Sequence, residues 1–477
     1  MSSLIDYDLV IIGGDRVGVW AAIAARRLQA RVALVAQGQS IGHCSHRPEL
    51  SVAMLAQLGH LLNCNAAAVS MGLEFTIPGV AGVDWSIAQQ WFQGLEDLQL
   101  AHYSLAALSA LGIHVIHQSG QFGRRPLRFC VDDQILRSRA YLIVQSQYPS
   151  LPAIDGLATV PYLTPDTIWD WVAAGNARKH LAIVGDDSTA IVLAQALQRL
   201  GLEVTLVTAM SPLLPERIVD TVHWLQATLE ADGVRIITGA EVQRLDSSGE
   251  QILVHLGDRK LTVDAVVVTP WYRPTIESLN LSAVGVRFRQ MQICSNARMQ
   301  TANPRIYTCS GEHTLTQGLH EAAIAVQNAL LLPIHRTTYR CIPHIISTDP
   351  PLAWVGLTKQ QAVARYGHRI HVIQQPVQAT SSVNHSGEPR GTCTLVVNSR
   401  GHVLGAEVFG TGAVELINTI ALAIHQRCPI SSWVTLPWVS PSCHDLLRRG
   451  AEQWLRDRYS LNTLRGRWLE RWHLFRR

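Results

Sequence analysis

One pattern that occurs twice narrows the fold more than anything else in this chain. Tyr7–Ile12 is a short β-branched apolar run, Gly13-Gly14 makes a turn, residues 17–28 have helical character, and residues 31–35 read as a second strand. The same order returns later: a strand at 181–184, the turn Gly185-Asp186-Asp187, a helix at 188–200 and the strand Glu203–Val207. Each copy is the opening of a Rossmann unit, where glycines permit a tight turn, close approach of a pyrophosphate and close packing of helix on strand. Either turn alone is a weak signal. Two of them in 477 residues imply an internally duplicated α/β chain of several domains.

Composition excludes several classes. Hydrophobic residues make up 47% and charged residues 16%, the balance of a folded globular protein. The basic residues are nearly all arginine, the lysines being Lys179, Lys260 and Lys359. Residues 452–477 hold seven Arg and three acids, 7 − 3 = +4, which equals the net charge of the whole chain, so no diffuse nucleic-acid surface is expected. The nine cysteines (44, 64, 130, 294, 309, 341, 393, 428 and 443) never form Cys-x-x-Cys, which speaks against a disulfide scaffold or a zinc ribbon. The apolar runs at 19–25 and 420–424 fall short of the roughly 18 residues a spanning helix needs, and residues 1–8 carry no secretory pattern. A cytoplasmic protein is expected.

The stretch from Thr348-Asp349-Pro350-Pro351-Leu352 to Trp354-Val355-Gly356-Leu357-Thr358 resembles the opening of the dimerisation domain of the class I pyridine nucleotide-disulfide oxidoreductases. That family includes dihydrolipoamide dehydrogenase, glutathione reductase and mercuric reductase. Gly401-His402-Val403-Leu404-Gly405-Ala406, then Gly410 and Glu415-Leu416-Ile417, resemble the next strand-turn-helix of that domain. The resemblance runs from about residue 5 to about 450. It implies an α/β fold with an FAD-type Rossmann domain (1–150, returning at 269–338), an NAD(P)-type Rossmann domain (151–268) and a C-terminal α+β dimerisation domain (339–450). Residues 451–477 are left as a basic amphipathic tail. It also implies FAD, NAD(P)H, a homodimer, a redox dithiol and a His-Glu proton relay.

Carried over position by position, the motifs are altered at the chemistry. The flavin turn Gly13-Gly14-Asp15-Arg16-Val17-Gly18 has Asp15 where the middle glycine should be. A carboxylate about 4 Å from a phosphate costs about 4 kcal/mol at an effective dielectric near 20, on the order of a thousandfold in affinity. Ala36 replaces the acid that holds the ribose, with Gln37 as a neutral stand-in, so FAD binding is weakened on two counts. Gly311 with Ser310 or Glu312 aligns with the segment that binds the ribityl chain. In the redox motif Cys44 remains alone and Glu49 stands at the second cysteine. The nicotinamide turn has Asp187 at the middle glycine, Ala190 at the third position and Thr208 at the ribose acid. NAD(P) is therefore not expected. The proton relay becomes Ser440 and Asp445.

Three functions compete on this reading. The first is a degenerate, non-catalytic dimeric scaffold or regulator. The second is an FAD-dependent NAD(P)-linked oxidoreductase of non-dithiol type, and the third a Cys/His metal or redox sensor. A metal set can be drawn from His43, Cys44, His46, His60 and Cys64, but local packing is the plainer expectation and no metal is assigned. Leu461, Leu464, Trp468, Trp472 and Phe475 recur at helical steps among arginines, the pattern of a helix that docks on an acidic protein or lies peripherally on an anionic membrane.

Overall fold

A computed structural model describes residues 5–37, 46–72, 83–124, 126–176, 179–274, 276–311, 315–367, 369–379, 391–460 and 464–476. They divide into two compact units. The first holds Met1–Met54, Gly82–Asn176 and Val267–Thr338, and the second Leu55–Ala81, Ala177–Val266 and Tyr339–Arg477.

The first unit is built on a five-stranded parallel sheet in the order Ile306–Ser310, Ser138–Gln145, Tyr7–Ile12, Val32–Val35, Ile113–Ile116. Its strand Tyr7–Ile12 is apolar and buried from Leu9 to Ile12 because both faces are covered there, while Tyr7 and Asp8 at its start are half-buried. Leu9 and Ile11 pack under helices Arg16–Arg27 and Leu315–Leu330, while Val10 and Ile12 pack against Phe122, Phe129 and Leu136 of a three-stranded antiparallel sheet.

In the second unit strands Arg235–Ile237, Glu203–Val207 and His180–Val184 lie parallel in that spatial order. Helix Ser188–Arg199 follows its Asp-containing turn. The C-terminal part is a five-stranded antiparallel sheet in the order Pro343–Ile346, Leu352–Gly356, Val403–Phe409, Thr392–Asn398, Ile370–Pro376. Helices Ala413–His425 and Asp445–Arg458 bury Leu416, Ile417, Ile420, Leu446 and Leu447 on this part. The chain therefore has the expected class: two dinucleotide-type α/β units and an α+β C-terminal domain.

Three expectations need correction. Helix Asp445–Arg458 runs unbroken past residue 450 and buries Ala451 and Trp454 in the C-terminal core, so part of the stretch 451–477 is not a tail. The exposed amphipathic element is helix Leu464–Phe475. Second, Arg47–Val69 is a 23-residue helical segment long and apolar enough, by length and composition, to cross a membrane. The apolar-run criterion missed it because polar residues interrupt it. Its Arg47 pairs with Glu96, Asp166 and Asp170, and its His60 with Asp349. Third, His60 and Cys64 do not merely pack locally, since His60 reaches a carboxylate 289 residues away.

Candidate functional site

The two glycine turns were the sequence's strongest pointers, and their backbones explain which glycines remain. Gly13 has φ +122°. A Cβ on it would lie 2.9 Å from Ser146 Oγ and from Val144. A Cβ on Gly18 would sit 1.9 Å from the Gly13 carbonyl oxygen. Packing alone therefore demands glycine at both positions, whatever the turn binds.

Residue 15 obeys a different rule. Asp15, only 2% exposed, is the N-cap of helix Arg16–Arg27. Gly18 N donates to its Oδ1 at 2.9 Å. Its other carboxylate oxygen lies against Gly311, where an added Cβ would be 2.9 Å away. An N-cap carboxylate satisfies an orphan amide and answers the positive end of the helix, for about 1 kcal/mol. The second turn repeats the device: Asp187 caps helix Ser188–Arg199, accepting from Ala190 N at 3.0 Å. Beside it Asp186 Oδ1 accepts from Thr208 Oγ1 at 2.5 Å and from Ala209 N at 2.9 Å, which fastens the turn to the end of strand Glu203–Val207.

These contacts test the fit of a dinucleotide directly. A pyrophosphate binds a Rossmann turn through the helix's N-terminal amides and its positive end. Here one of those amides at each turn, Gly18 N and Ala190 N, already donates to a carboxylate of the chain. At each turn the capping carboxylate thus stands at the helix start that a pyrophosphate would use. Gln37 is also engaged: its Nε2 donates to Gly120 O at 3.4 Å and its Oε1 accepts from Gly120 N at 3.3 Å, so its amide is not left for a ribose.

Glu49, at the second redox position, accepts from Arg16 Nη1 at 2.8 Å. Half of its side chain is open to solvent, yet burial of the rest pushes its carboxyl up from the ordinary range, with Arg16 opposing. Two residues earlier Arg47 sits among three carboxylates, at 3.3 Å from Glu96, 3.8 Å from Asp166 and 2.6 Å from Asp170. It lines a cavity of about 490 Å³ together with Pro149, Pro270 and Tyr272. Of these carboxylates Glu96 and Asp166 line the cavity with Arg47, which leaves 1 − 2 = −1, a rim that disfavours anions.

Cys44, His43 and Glu312 lie outside the described residues, as does the side chain of His46. No other cysteine in the core offers a ready thiolate. Burial, then Asp15 and Glu321, pushes the Cys309 thiol well up, and burial pushes Cys393 up to about 12. At the relay position Ser440 Oγ donates to Asp445 Oδ2 at 3.1 Å, so the pair survives as a hydrogen bond. Ser442 N also donates to Asp445, at 3.2 Å, and the carboxylate is 5% exposed. Both hydrogen bonds anchor the loop before helix Asp445–Arg458. His444 stacks on Trp438 with ring centroids 5.5 Å apart. Among the described residues no three His, Cys, Asp or Glu side chains gather as a metal site.

Sequence reasoning missed the capping role of Asp15 and Asp187, although an Asp followed by a helix is itself a start signal. It also missed buried Glu321, which accepts from Ser310 N at 2.6 Å beside Gly311.

Comparison with known proteins gives two family matches. The pyridine nucleotide-disulphide oxidoreductase model matches residues 7–329, and the dimerisation domain of those oxidoreductases matches residues 342–449. A mercuric reductase of Staphylococcus aureus is 27% identical over 432 residues, 88% of this chain and 77% of that one. A dihydrolipoyl dehydrogenase of Bacillus subtilis is 25% identical over 439 residues, 87% of this chain and 91% of that one. Among solved structures, LpdA of Mycobacterium tuberculosis superposes with TM-score 0.80 at 21% identity, covering 94% of this chain and 99% of that one. The flavoprotein disulfide reductase RclA of Escherichia coli, solved as a Cu(II) complex, gives 0.78 at 22%, covering 93% and 99%.

Proposed function

This chain belongs to the pyridine nucleotide-disulphide oxidoreductase family, a family of flavoproteins with a dimerisation domain, and on that premise we propose that it is a non-catalytic member: a homodimeric scaffold or regulator that has given up dinucleotide binding and dithiol chemistry. One observation carries the reading. At both turns the helix start that would receive a pyrophosphate is capped by the chain's own aspartate, at 2.9 Å from Gly18 N and 3.0 Å from Ala190 N. Glu49 at a thiol position and the Ser440–Asp445 pair at the relay support it.

The test is the visible absorption spectrum of the purified chain after incubation with excess FAD and gel filtration. A colourless protein that leaves NADH and NADPH unoxidised is expected; flavin bands near 1:1 occupancy would overturn the reading. A second reading, an FAD-dependent oxidoreductase without a dithiol, draws on Arg16, a cation at the start of the same helix. It ranks second because that guanidinium is already paired with Glu49.

The scaffold's docking element is helix Leu464–Phe475. Trp468, Trp472 and Phe475 form an exposed stacked stripe, with centroids 5.8 and 6.4 Å apart. Residues 464–477 hold five Arg and one Glu, 5 − 1 = +4. Aromatic rings on one face and guanidinium groups around them suit an anionic membrane or an acidic protein surface. Deleting residues 464–477 should abolish co-sedimentation with phosphatidylserine vesicles, each Arg near such a surface contributing about 1 kcal/mol. Unchanged sedimentation would remove the tail from the proposal.

A further inference from the structure

Helix His46–Ser70 places His60 and Cys64 on one face, four residues apart. Gly59 lets this helix approach helix Ser188–Arg199 closely: a Cβ there would lie 3.2 Å from Ala196 O and 3.4 Å from Arg199 Cβ. That approach brings His60 to Asp349. His60 Nδ1 lies 2.8 Å from Asp349 Oδ2, and His60 Nε2 lies 3.4 Å from Cys64 Sγ. The carboxylate is on Nδ1, and the sulfur lies nearer Nε2 than Nδ1, 3.4 Å against 3.9 Å.

Asp349 is held from several sides, Gln195 taking its backbone and Arg199 its carboxylate. Gln195 Oε1 accepts from Asp349 N at 2.7 Å, and Gln195 Nε2 donates to Asp349 O at 2.8 Å. Arg199 Nη1 donates to Asp349 Oδ2 at 2.5 Å, and Arg199 Nε donates to Asp232 at 3.0 Å. Burial alone would raise the Asp349 carboxyl, but His60 and Arg199 outweigh it and hold it below the ordinary range. Asp349 on Nδ1 fixes the imidazole's orientation beside the thiol, the positioning that a base taking a thiol proton requires. Cys64 is solvent-exposed.

We propose that Cys64, His60 and Asp349 form a thiol-modification site that exchanges with low-molecular-weight disulfides. His60 Nε2 takes the Cys64 proton, and the thiolate attacks one sulfur of R–S–S–R. The S–S bond breaks, and the departing thiolate recovers the proton as R–SH. The net reaction is Cys64–SH + RSSR → Cys64–S–SR + RSH, in which Cys64 is oxidised and one R–S group reduced. His60 is the base and Asp349 the positioning residue. The site uses none of the family's redox positions and stands apart from the scaffold reading.

Cys294, also exposed, is an internal control. The full chain is incubated with 2-hydroxyethyl disulfide, a small uncharged probe, and adducts at each cysteine are quantified by peptide mass spectrometry. Cys64 should react about tenfold faster than Cys294 near neutral pH, the gain expected of a thiol beside an imidazole base. In His60→Gln, a change at a side chain 43% exposed, Cys64 should fall to the rate of Cys294 while Cys294 and the melting temperature stay the same. Equal rates in the wild-type chain, or an advantage that survives His60→Gln, would overturn the proposal.

Discussion

At the first dinucleotide turn Asp15 is 2% exposed and packs on Gly311, whereas at the second Asp187 is only half-buried and its neighbour Asp186 is exposed. The third motif position differs as well. Gly18 has no room for a methyl group, but Ala190 carries one and is fully buried. The shared feature is therefore the cap, and the difference lies in how far the surrounding fold has closed over it. Capping a helix needs one carboxylate and suffices to place an Asp at both turns. The first turn has in addition become part of a packed core, where each replacement is costly.

That contrast can be broken by substitution. Gly18→Ala should destabilise the chain by about 3 kcal/mol or more, because the added methyl meets backbone, while Ala190→Gly should cost about 1 kcal/mol, its helix-propensity difference. Thermal melts of similar size would dissolve the distinction. Asp15→Ala, which leaves a buried amide without its acceptor, should cost about 2 kcal/mol. Asp187→Ala, where water can replace the carboxylate, should cost about 1 kcal/mol or less. Urea denaturation gives both values, and a reversed order would contradict the account of the two environments.

The smallest effect belongs to Arg16→Met. Glu49's carboxyl is raised in the fold, so its contribution to stability is present at acid pH and is lost as pH rises from its unfolded value through its folded one. Removing Arg16 raises it further. The variant should lose less than about 1 kcal/mol near neutral pH, as for a partly exposed pair, and the loss should vanish as pH falls below the ordinary carboxylate range. A deficit independent of pH would mean that Arg16 stabilises by packing alone.

Much of this fold was legible in the sequence. Strands Tyr7–Ile12 and Glu203–Val207 coincide with the runs that announced them, because the part of a parallel strand covered on both faces is mostly apolar, as at Leu9–Ile12. The cap chemistry of Asp15 and Asp187 was also local and readable, but comparison with a glycine motif presented each as a lost glycine and hid what the aspartate does. Other features had no local signal. Gln37 is taken up by Gly120, 83 residues on, and His60 by Asp349, 289 residues on, through folding that no spacing rule encodes. The start of the tail was misplaced because the resemblance stops at about residue 450, whereas helix Asp445–Arg458 runs on and buries Trp454 in the C-terminal core.

The most direct test of the central claim is an FAD titration, by flavin fluorescence, of the wild-type chain and Asp15→Gly side by side. Removing the carboxylate should raise FAD affinity on the order of a thousandfold, the factor a charge about 4 Å from a phosphate represents. A wild-type chain that binds FAD tightly, or an Asp15→Gly chain that binds it no better, would contradict the account.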